Sequence, residues 1–424
     1  MDELAVRGQH AHAANLLFAA RALRDFGDSF VAILLPAYLL ALGFTPFAVG
    51  VLATASLLGS AGLTVAAGLL GARFGYRQLL LAAACLMIAT GFAFSAFHDY
   101  AILIAVAFAG TINPSAGNVS VFVPLEHAAL AGISEDNDRT RMFARYSLAG
   151  ALAAAVGSLV AGAPEFLQPL GLNRLTAMQA MFVCYGLLGV AGRALYSRLP
   201  RRTPAPATSA PAALGPSRVI VLKLAALFSL DAFAGGFVVQ SLLALWLFQR
   251  FHLSLAEAGV FFFWAGLLAA LSYPIAARLS RRIGLVNTMV FTHIPSSIAL
   301  MLAAVAPTLT TALGLLLVRA ALSQMDVPTR SSYVMAMVTE SERAAAASFT
   351  SVPRSLASAI SPAMAGALFA ASYRAWPLLI CGALKVVYDL LLLAQFRHLK
   401  PPEEQMRGNE QVARRGRRLR DQRR

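Results

Sequence analysis

Twelve stretches of this chain are long and apolar enough to cross a lipid bilayer, and that repetition constrains the fold more than any motif. A membrane helix needs about 20 mostly apolar residues, because hydrocarbon offers no water to unsatisfied backbone groups. The stretches lie near 14–42, 47–71, 79–97, 101–125, 142–162, 175–195, 219–248, 257–277, 288–306, 309–338, 345–371 and 375–396, named spans 1 to 12 below. The chain is 58% apolar and 13% charged, with mean hydropathy +0.67. Soluble domains run at about 45–50% and about 25%, so one water-soluble core is excluded and an all-α membrane protein is expected. Cys85, Cys184 and Cys381 are isolated, and no HExxH, GxxxxGK[ST] or GxGxxG pattern occurs. Enzyme, metal and cofactor readings therefore have no motif behind them. The start, MDELAVRGQHAHAANLL, lacks a basic n-region, so a cleaved signal peptide is not expected.

The formal charge of +15 raises nucleic-acid binding, and its placement argues against it. Arg73, Arg77, Arg139, Arg141, Arg198, Arg201, Arg202, Arg218, Arg278, Arg281, Arg282 and Arg343 lie in alternate loops, whereas the opposite loops hold Arg174, Arg250 and Arg374. By the positive-inside rule both termini are expected in the cytoplasm. The tail 397–424 carries ten basic and four acidic residues, a solvated segment suited to anionic lipid. Arg outnumbers Lys and Ala is abundant, as in GC-rich bacterial genomes, so a bacterial inner membrane is expected.

Residues 198–218, RLPRRTPAPATSAPAALGPSR, form the one long Pro/Ala-rich polar stretch between spans. The organisation read from this is an N-terminal six-helix bundle (1–197), a cytoplasmic linker (198–218), a C-terminal six-helix bundle (219–396) and a basic tail (397–424). The halves echo each other. Gly50, Arg73 and Gly75 recur as Gly259, Arg282 and Gly284, Ser147-Leu148-Ala149 recurs as Ser355-Leu356-Ala357, and Pro114-Ser115 corresponds to Pro328-Thr329. Two parallel six-helix repeats imply a pseudo-twofold along the membrane normal and a central site near midplane. The architecture needs no partner subunit, and a monomer is expected.

Five spans hold ionisable residues, which persist in a membrane where they pair or face water. In span 1, Arg21, Arg24, Asp25 and Asp28 fall within about 100° of one helix face, with Arg21–Asp25 and Arg24–Asp28 as i,i+4 pairs. In span 7, Asp231 has no cation a turn away, so an unpaired, protonated carboxyl is expected, followed by the flexible Gly235-Gly236. In span 10, Arg319, Ser323, Asp326 and Arg330 share one face, with Pro328 interrupting the helix. Arg354 of span 11 lacks a local acid and must meet one on another helix or an anion in a cavity. Lys385–Asp389 of span 12 reads as a local structural pair. Span 4 offers Asn113 and Asn118 around Pro114, suited to a polar ligand or to interhelical hydrogen bonds. Glu126-His127 is placed at the membrane interface.

The span 2–3 loop, Gly68-Leu69-Leu70-Gly71-Ala72-Arg73-Phe74-Gly75-Tyr76-Arg77, resembles the gating-loop motif of the major facilitator superfamily, and Arg281-Arg282-Ile283-Gly284 is similar to a degraded second copy. Leu35-Pro36-Ala37-Tyr38-Leu39-Leu40-Ala41-Leu42-Gly43 and Glu340-Ser341-Glu342-Arg343 resemble segments of its drug-exporter branch. Ala72 replaces the motif's usual Asp, and span 5 lacks the Gly-Pro pair typical of drug–proton antiporters. The resemblance implies twelve membrane helices in two pseudo-symmetric bundles, no enzyme activity, alternating access and efflux. The expected assignments are Asp25, Asp28, Asp231 and Asp326 for proton coupling; Arg21, Arg24, Asn113, Asn118, Arg319, Arg330 and Arg354 for substrate; and Gly68, Arg73, Gly75, Arg77 and Arg282 for the gating loop. Arginines outnumber acids in these spans, which favours a small anionic or zwitterionic solute moved with protons. A facilitator without proton coupling is the alternative, and a non-transporting receptor is a more distant one.

Overall fold

The computed structural model describes residues 2–71, 73–116, 120–131, 133, 136–200, 215–339 and 342–399, and among these no strand occurs. Span 1 is α1 (Asp2–Ala41), span 2 α2 (Pro46–Leu70) and span 3 α3 (Tyr76–Ala96). Span 4 is split into α4 (Tyr100–Ala109) and α5 (Phe122–Ala131). Span 5 is α6 (Asp136–Val160), followed by the short α7 (Ala163–Leu167), and span 6 is α8 (Arg174–Ser197). Span 7 is α9 (Arg218–Gly236) plus α10 (Gln240–Phe251), span 8 α11 (Leu255–Ile283) and span 9 α12 (Leu285–Ala304). Span 10 is α13 (Leu309–Ser323) plus α14 (Asp326–Met337), span 11 α15 (Arg343–Ala370) and span 12 α16 (Trp376–Phe396). Each expected span is helical over all or part of its length, and the chain is a twelve-helix membrane protein of two related six-helix halves.

Three spans are broken. Span 4, read from sequence as one apolar helix, opens over 110–121 around Asn113-Pro114. Span 7 stops at Gly236 and restarts at Gln240, where Ser241 N–H donates to Pro114 O across the halves at 3.0 Å. Two breaks thus satisfy each other's backbone, which lipid could not do. Span 10 breaks at Gln324-Met325, before Pro328 rather than at it. Pro328 falls in the first turn of α14, where its missing N–H costs nothing.

The halves meet at the end of the molecule remote from both bundle termini, the far end. There Gly50 of span 2 and Gly366 of span 11 approach so closely that a Cβ on Gly50 would collide with Pro362 O and Gly366 Cα. Ala363 N–H donates to Thr54 Oγ1 at 3.0 Å. On the opposite flank, a Cβ on Gly162 would lie 2.7 Å from Ala256 Cα, and one on Gly259 2.6 Å from Ser158 O. Glu165 accepts from Leu255 N–H (2.6 Å) and Ala256 N–H (3.2 Å), the first amides of span 8. A single apolar core joins both halves here, including Leu35, Ala161, Phe237, Phe261 and Phe369. Toward the terminus end the C-terminal half has its own core around Phe228, Met289, Tyr333 and Tyr388. Gly62 and Gly68, in the terminus-end half of span 2, have nothing within 4 Å of a built Cβ. The inter-half contacts named here gather at the far end and close it.

Candidate functional site

Two networks of buried charge lie in the middle of the bundle, one in each half. In the N-terminal half, Arg21 Nε sits 2.6 Å from Asp25 Oδ2, the i,i+4 pair expected. Arg24 does not pair with Asp28. It turns to Asp25 Oδ1 (3.2 Å) and Glu126 Oε2 (3.3 Å), with its guanidinium over the Phe122 ring. Glu126 is therefore not at the interface: it is fully buried, and it also accepts from Tyr146 Oη and, at 2.6 Å, from Tyr196 Oη. Span 4 is broken ahead of α5, and Glu126 on α5 faces the buried Arg24, Tyr146 and Tyr196 rather than the interface. Asp28, also buried, accepts from Tyr185 Oη at 3.0 Å and makes no ion pair among the described residues. Asn113 is buried in the break, its Oδ1 accepting from Ser115 N–H at 2.8 Å.

In the C-terminal half the expectation for Asp231 is overturned. Its Oδ1 receives Lys385 Nζ at 2.6 Å and its Oδ2 receives Arg330 Nη1 at 3.0 Å. No cation lies a turn away along span 7, yet spans 10 and 12 each deliver one. Arg330 Nη2 also holds Asp326 at 2.7 Å, one turn back on α14. Lys385 is thereby taken from Asp389, so their expected local pair does not form. Asp389 instead meets His293 of span 9, whose Nδ1 lies 3.1 Å from both carboxylate oxygens. His293 Nε2 lies 3.2 Å from Lys385 Nζ and 3.8 Å from Asp231 Oδ1.

Two arginines stand apart. Arg354 is exposed on the side of span 11 facing Arg330, Asp231 and Asp326, and has no ion pair or hydrogen bond among the described residues. Arg319 is half-buried in α13, likewise without a side-chain partner among the described residues, with the Cys381 thiol near it. The break at Gln324 turns it away from the face it was expected to share with Asp326 and Arg330. Tyr273 of span 8 lies within electrostatic reach of both Arg21 and Asp326, one residue from each network.

The loop residues lie away from this centre, at the terminus end. Arg77 Nη2 donates to Ser197 O at 2.7 Å, satisfying a carbonyl at the end of span 6. Arg73 is exposed beside the Phe74 ring, Gly75 caps span 3, Gly68 is open, and Arg282 ends span 8 in solvent. Asn118, Ala72 and the tail beyond residue 399 lie outside the described residues. His293, Glu126 and the three tyrosines of the first network were not found from sequence. A lone His in an apolar run and tyrosines at helical spacing carry no local signal, since their partners come from other spans.

The Major Facilitator Superfamily profile matches residues 17–230 and again 224–422. An uncharacterised membrane protein of Saccharomyces cerevisiae is 21% identical over 359 residues, covering 76% of this chain and 80% of that protein. Among solved structures, a D-xylose–proton symporter matches with TM-score 0.71 at 15% identity, covering 90% of this chain and 96% of its own. A bacterial homologue of the human lysosomal transporter Spinster, inward-facing and occupied, matches with TM-score 0.69 at 16% identity, over 91% and 95%. The human organic anion transporter MFSD10 matches with TM-score 0.63 at 17% identity, over 90% and 99%. With its profile matched twice across nearly the whole length and its fold shared with these transporters, the chain belongs to the Major Facilitator Superfamily.

Proposed function

We propose that this transporter moves a small organic anion or zwitterion by alternating access, coupled to protons, in the direction of efflux. The observation that carries the reading is the opposite imbalance of the two networks. In the N-terminal half, Arg21 and Arg24 face Asp25, Asp28 and Glu126, two cations against three acids. One proton neutralises that set, and Asp28, whose partner is a hydroxyl, is the residue that carries it. In the C-terminal half, Arg330, Arg354 and Lys385 face Asp231 and Asp326, three cations against two acids, while Asp389 is taken by His293. An anion completes that set, and the uncommitted guanidinium of Arg354 offers a fork for carboxylate or phosphate oxygens. Asp25, Asp231 and Asp326 are held in ion pairs, so of the four expected proton carriers this assignment keeps Asp28. The Asn113 break and the flanking Arg21 and Arg24 shape the opposite wall.

The closed far end supports alternating access. The far-end contacts form one gate, and closure at the terminus end forms the other. With both termini in the cytoplasm of a bacterial inner membrane, as the loop arginines favour, the closed far end faces away from the cytoplasm, which leaves the cytoplasmic side as the one where an exporter loads. Efflux itself rests on the resemblance of span 1 and the span 10–11 loop to exporters. The protein acts as a monomer, without nucleic acid and without enzyme chemistry.

Solid-supported-membrane electrophysiology on proteoliposomes tests this, with organic anions, zwitterions and lipophilic cations applied in turn under an imposed pH gradient. The expected result is an anion- or zwitterion-evoked current that Arg354→Gln removes. Asp28→Asn removes the gradient dependence and spares counterflow. A response to lipophilic cations alone overturns the cargo assignment. The pairing of Asp25, Asp231 and Asp326 favours a facilitator if Asp28→Asn leaves gradient-driven transport intact.

A further inference from the structure

Lys385, His293, Asp231 and Asp389 are arranged so that one lone pair decides who holds Asp231. An ammonium donates and never accepts, so the 3.2 Å contact from Lys385 Nζ makes His293 Nε2 an acceptor. The imidazole proton is then on Nδ1, aimed at the two oxygens of Asp389. A proton added to this His–Asp pair has two well-bonded forms. Either imidazolium faces carboxylate, or the protonated Asp389 donates to Nδ1. In both, a new N–H appears at Nε2, the position Lys385 now occupies. An N–H and an ammonium cannot share that place. The nearest acceptor for the new N–H is Asp231 Oδ1, 3.8 Å from Nε2 and at present bound to Lys385.

We propose that His293–Asp389 is a proton-binding site, and that its occupation hands Asp231 from Lys385 to His293, freeing the ammonium toward the space that Arg354 faces. The proton arrives from that space, and no covalent bond between heavy atoms changes. This deepens the proton-coupled anion reading: the freed ammonium becomes a second cation for the anion beside Arg354. Other groups are arranged to let the exchange happen. Arg330 keeps Oδ2 of Asp231 and its own Asp326, so Asp231 stays anchored while its Oδ1 changes partner. Span 12 adds Tyr388, whose ring meets His293 edge-on and whose buried hydroxyl has no partner among the described residues, and Cys381 one turn before Lys385. From span 10, Arg319 lends span 9 its backbone carbonyl, accepting from Ser296 Oγ. Span 8 brings Arg281 and Arg282 in its last turn, beside the start of span 9 rather than at His293.

Competitive amine labelling of the full chain in proteoliposomes reads the exchange directly. The sequence has three lysines, and exposed Lys223 serves as internal reference for Lys385, with peptide mass spectrometry as the readout. The Lys385/Lys223 labelling ratio is expected to rise severalfold as pH is lowered, and to stay flat in His293→Gln and in Asp389→Asn. Two isosteric variants from different helices guard against a single folding failure. A flat ratio in the parent protein, or a rise that survives both variants, overturns the proposal. The labelling does not depend on transport. A pH-dependent ratio with no gradient-driven current therefore sinks the coupling reading and keeps the site, while the reverse result sinks the site alone.

Discussion

Arg330 ties two helices with one guanidinium: Nη1 lies 3.0 Å from Asp231 of span 7, and Nη2 lies 2.7 Å from Asp326, one turn back on its own span. The Phe228 ring packs under the same group. Removing either acid leaves the arginine short of a partner, yet the two losses differ. Asp231 also holds Lys385, so Asp231→Asn takes an acid from two buried cations where Asp326→Asn takes one from Arg330 alone. Breaking a buried pair from one side costs about 3–5 kcal/mol. Asp231→Asn is therefore expected to lower the thermal unfolding midpoint of the purified protein more than Asp326→Asn. Arg330→Lys should not restore it, because an ammonium cannot fork to both acids. Equal midpoints for the two Asn variants would mean that Lys385 contributes nothing at Asp231.

Gly236 ends the first segment of span 7 against span 11. A Cβ there would strike Ser361 Oγ and Ser358 O, and Ser361 Oγ donates to Phe233 O at 2.5 Å. Gly236→Ala forces the two helices apart or breaks that hydrogen bond, at a cost of about 1–3 kcal/mol. Gly62→Ala, in an open stretch of span 2, is expected to be neutral or slightly stabilising through helix propensity. Differential scanning fluorimetry of the pair checks the contrast. A neutral Gly236→Ala would show that spans 7 and 11 do not pack so closely.

The twelve spans were legible because length and hydropathy are local properties, and each apolar run became helical, span 4 only in part. The parallel repeat was legible in Gly50/Gly259 and in Pro114/Pro328, whose spans are both broken. The partners of the charges were not legible. Spacing along span 1 gave Arg21–Asp25 correctly, since both lie on one helix, and failed for Arg24, whose stronger claimant is Glu126 on α5. Asp231 looked unpaired because its cations arrive from spans 10 and 12, a matter of tertiary packing that helical periodicity does not encode. His293 shows no signal in sequence for the same reason.

Glu342, in the span 10–11 loop, clasps the end of the linker. It accepts from Gly215 N–H at 2.5 Å, Ser217 Oγ at 2.8 Å and Thr339 Oγ1 at 2.7 Å. The hydroxyls of Thr339 and Ser217, followed by the backbone amides of Gly215 and Ser217, hold its carboxyl down at about 2, against an ordinary value of about 4.3. A depressed acid stabilises the folded contact fully above its unfolded value and loses that contribution as pH falls toward the folded one. The clasp is thus expected to be constant from neutral pH to about 5 and to weaken between about 4.3 and 2. Hydrogen exchange at Gly215 and Ser217 measures it. Protection should hold at pH 5 in the parent protein and be lost in Glu342→Gln, which keeps one acceptor oxygen. Unchanged protection in the variant would place the anchor elsewhere.

The far-end gate rests on a helix start as well as on glycine contacts. Span 8 begins with a capping box, Ser254 and Glu257 each binding the other's backbone N–H, and Glu165 from the other half takes the amides of Leu255 and Ala256. A carboxylate there meets unsatisfied N–H groups and the positive end of the helix dipole. That contact crosses between halves, so it exists in the far-end-closed state and must be surrendered when the far end opens. Glu165→Ala removes it without touching either charge network. Gly50→Leu acts on the opposite flank by wedging span 2 away from Gly366. Both are expected to shift the population toward the far-end-open state. A single cysteine placed at residue 54 or 158, in a background lacking Cys85, Cys184 and Cys381, reads that shift as faster maleimide labelling from the far side. If Glu165→Ala leaves the labelling rate unchanged while Gly50→Leu raises it, the glycine contact alone holds the gate. If neither changes it, the halves part along some other seam.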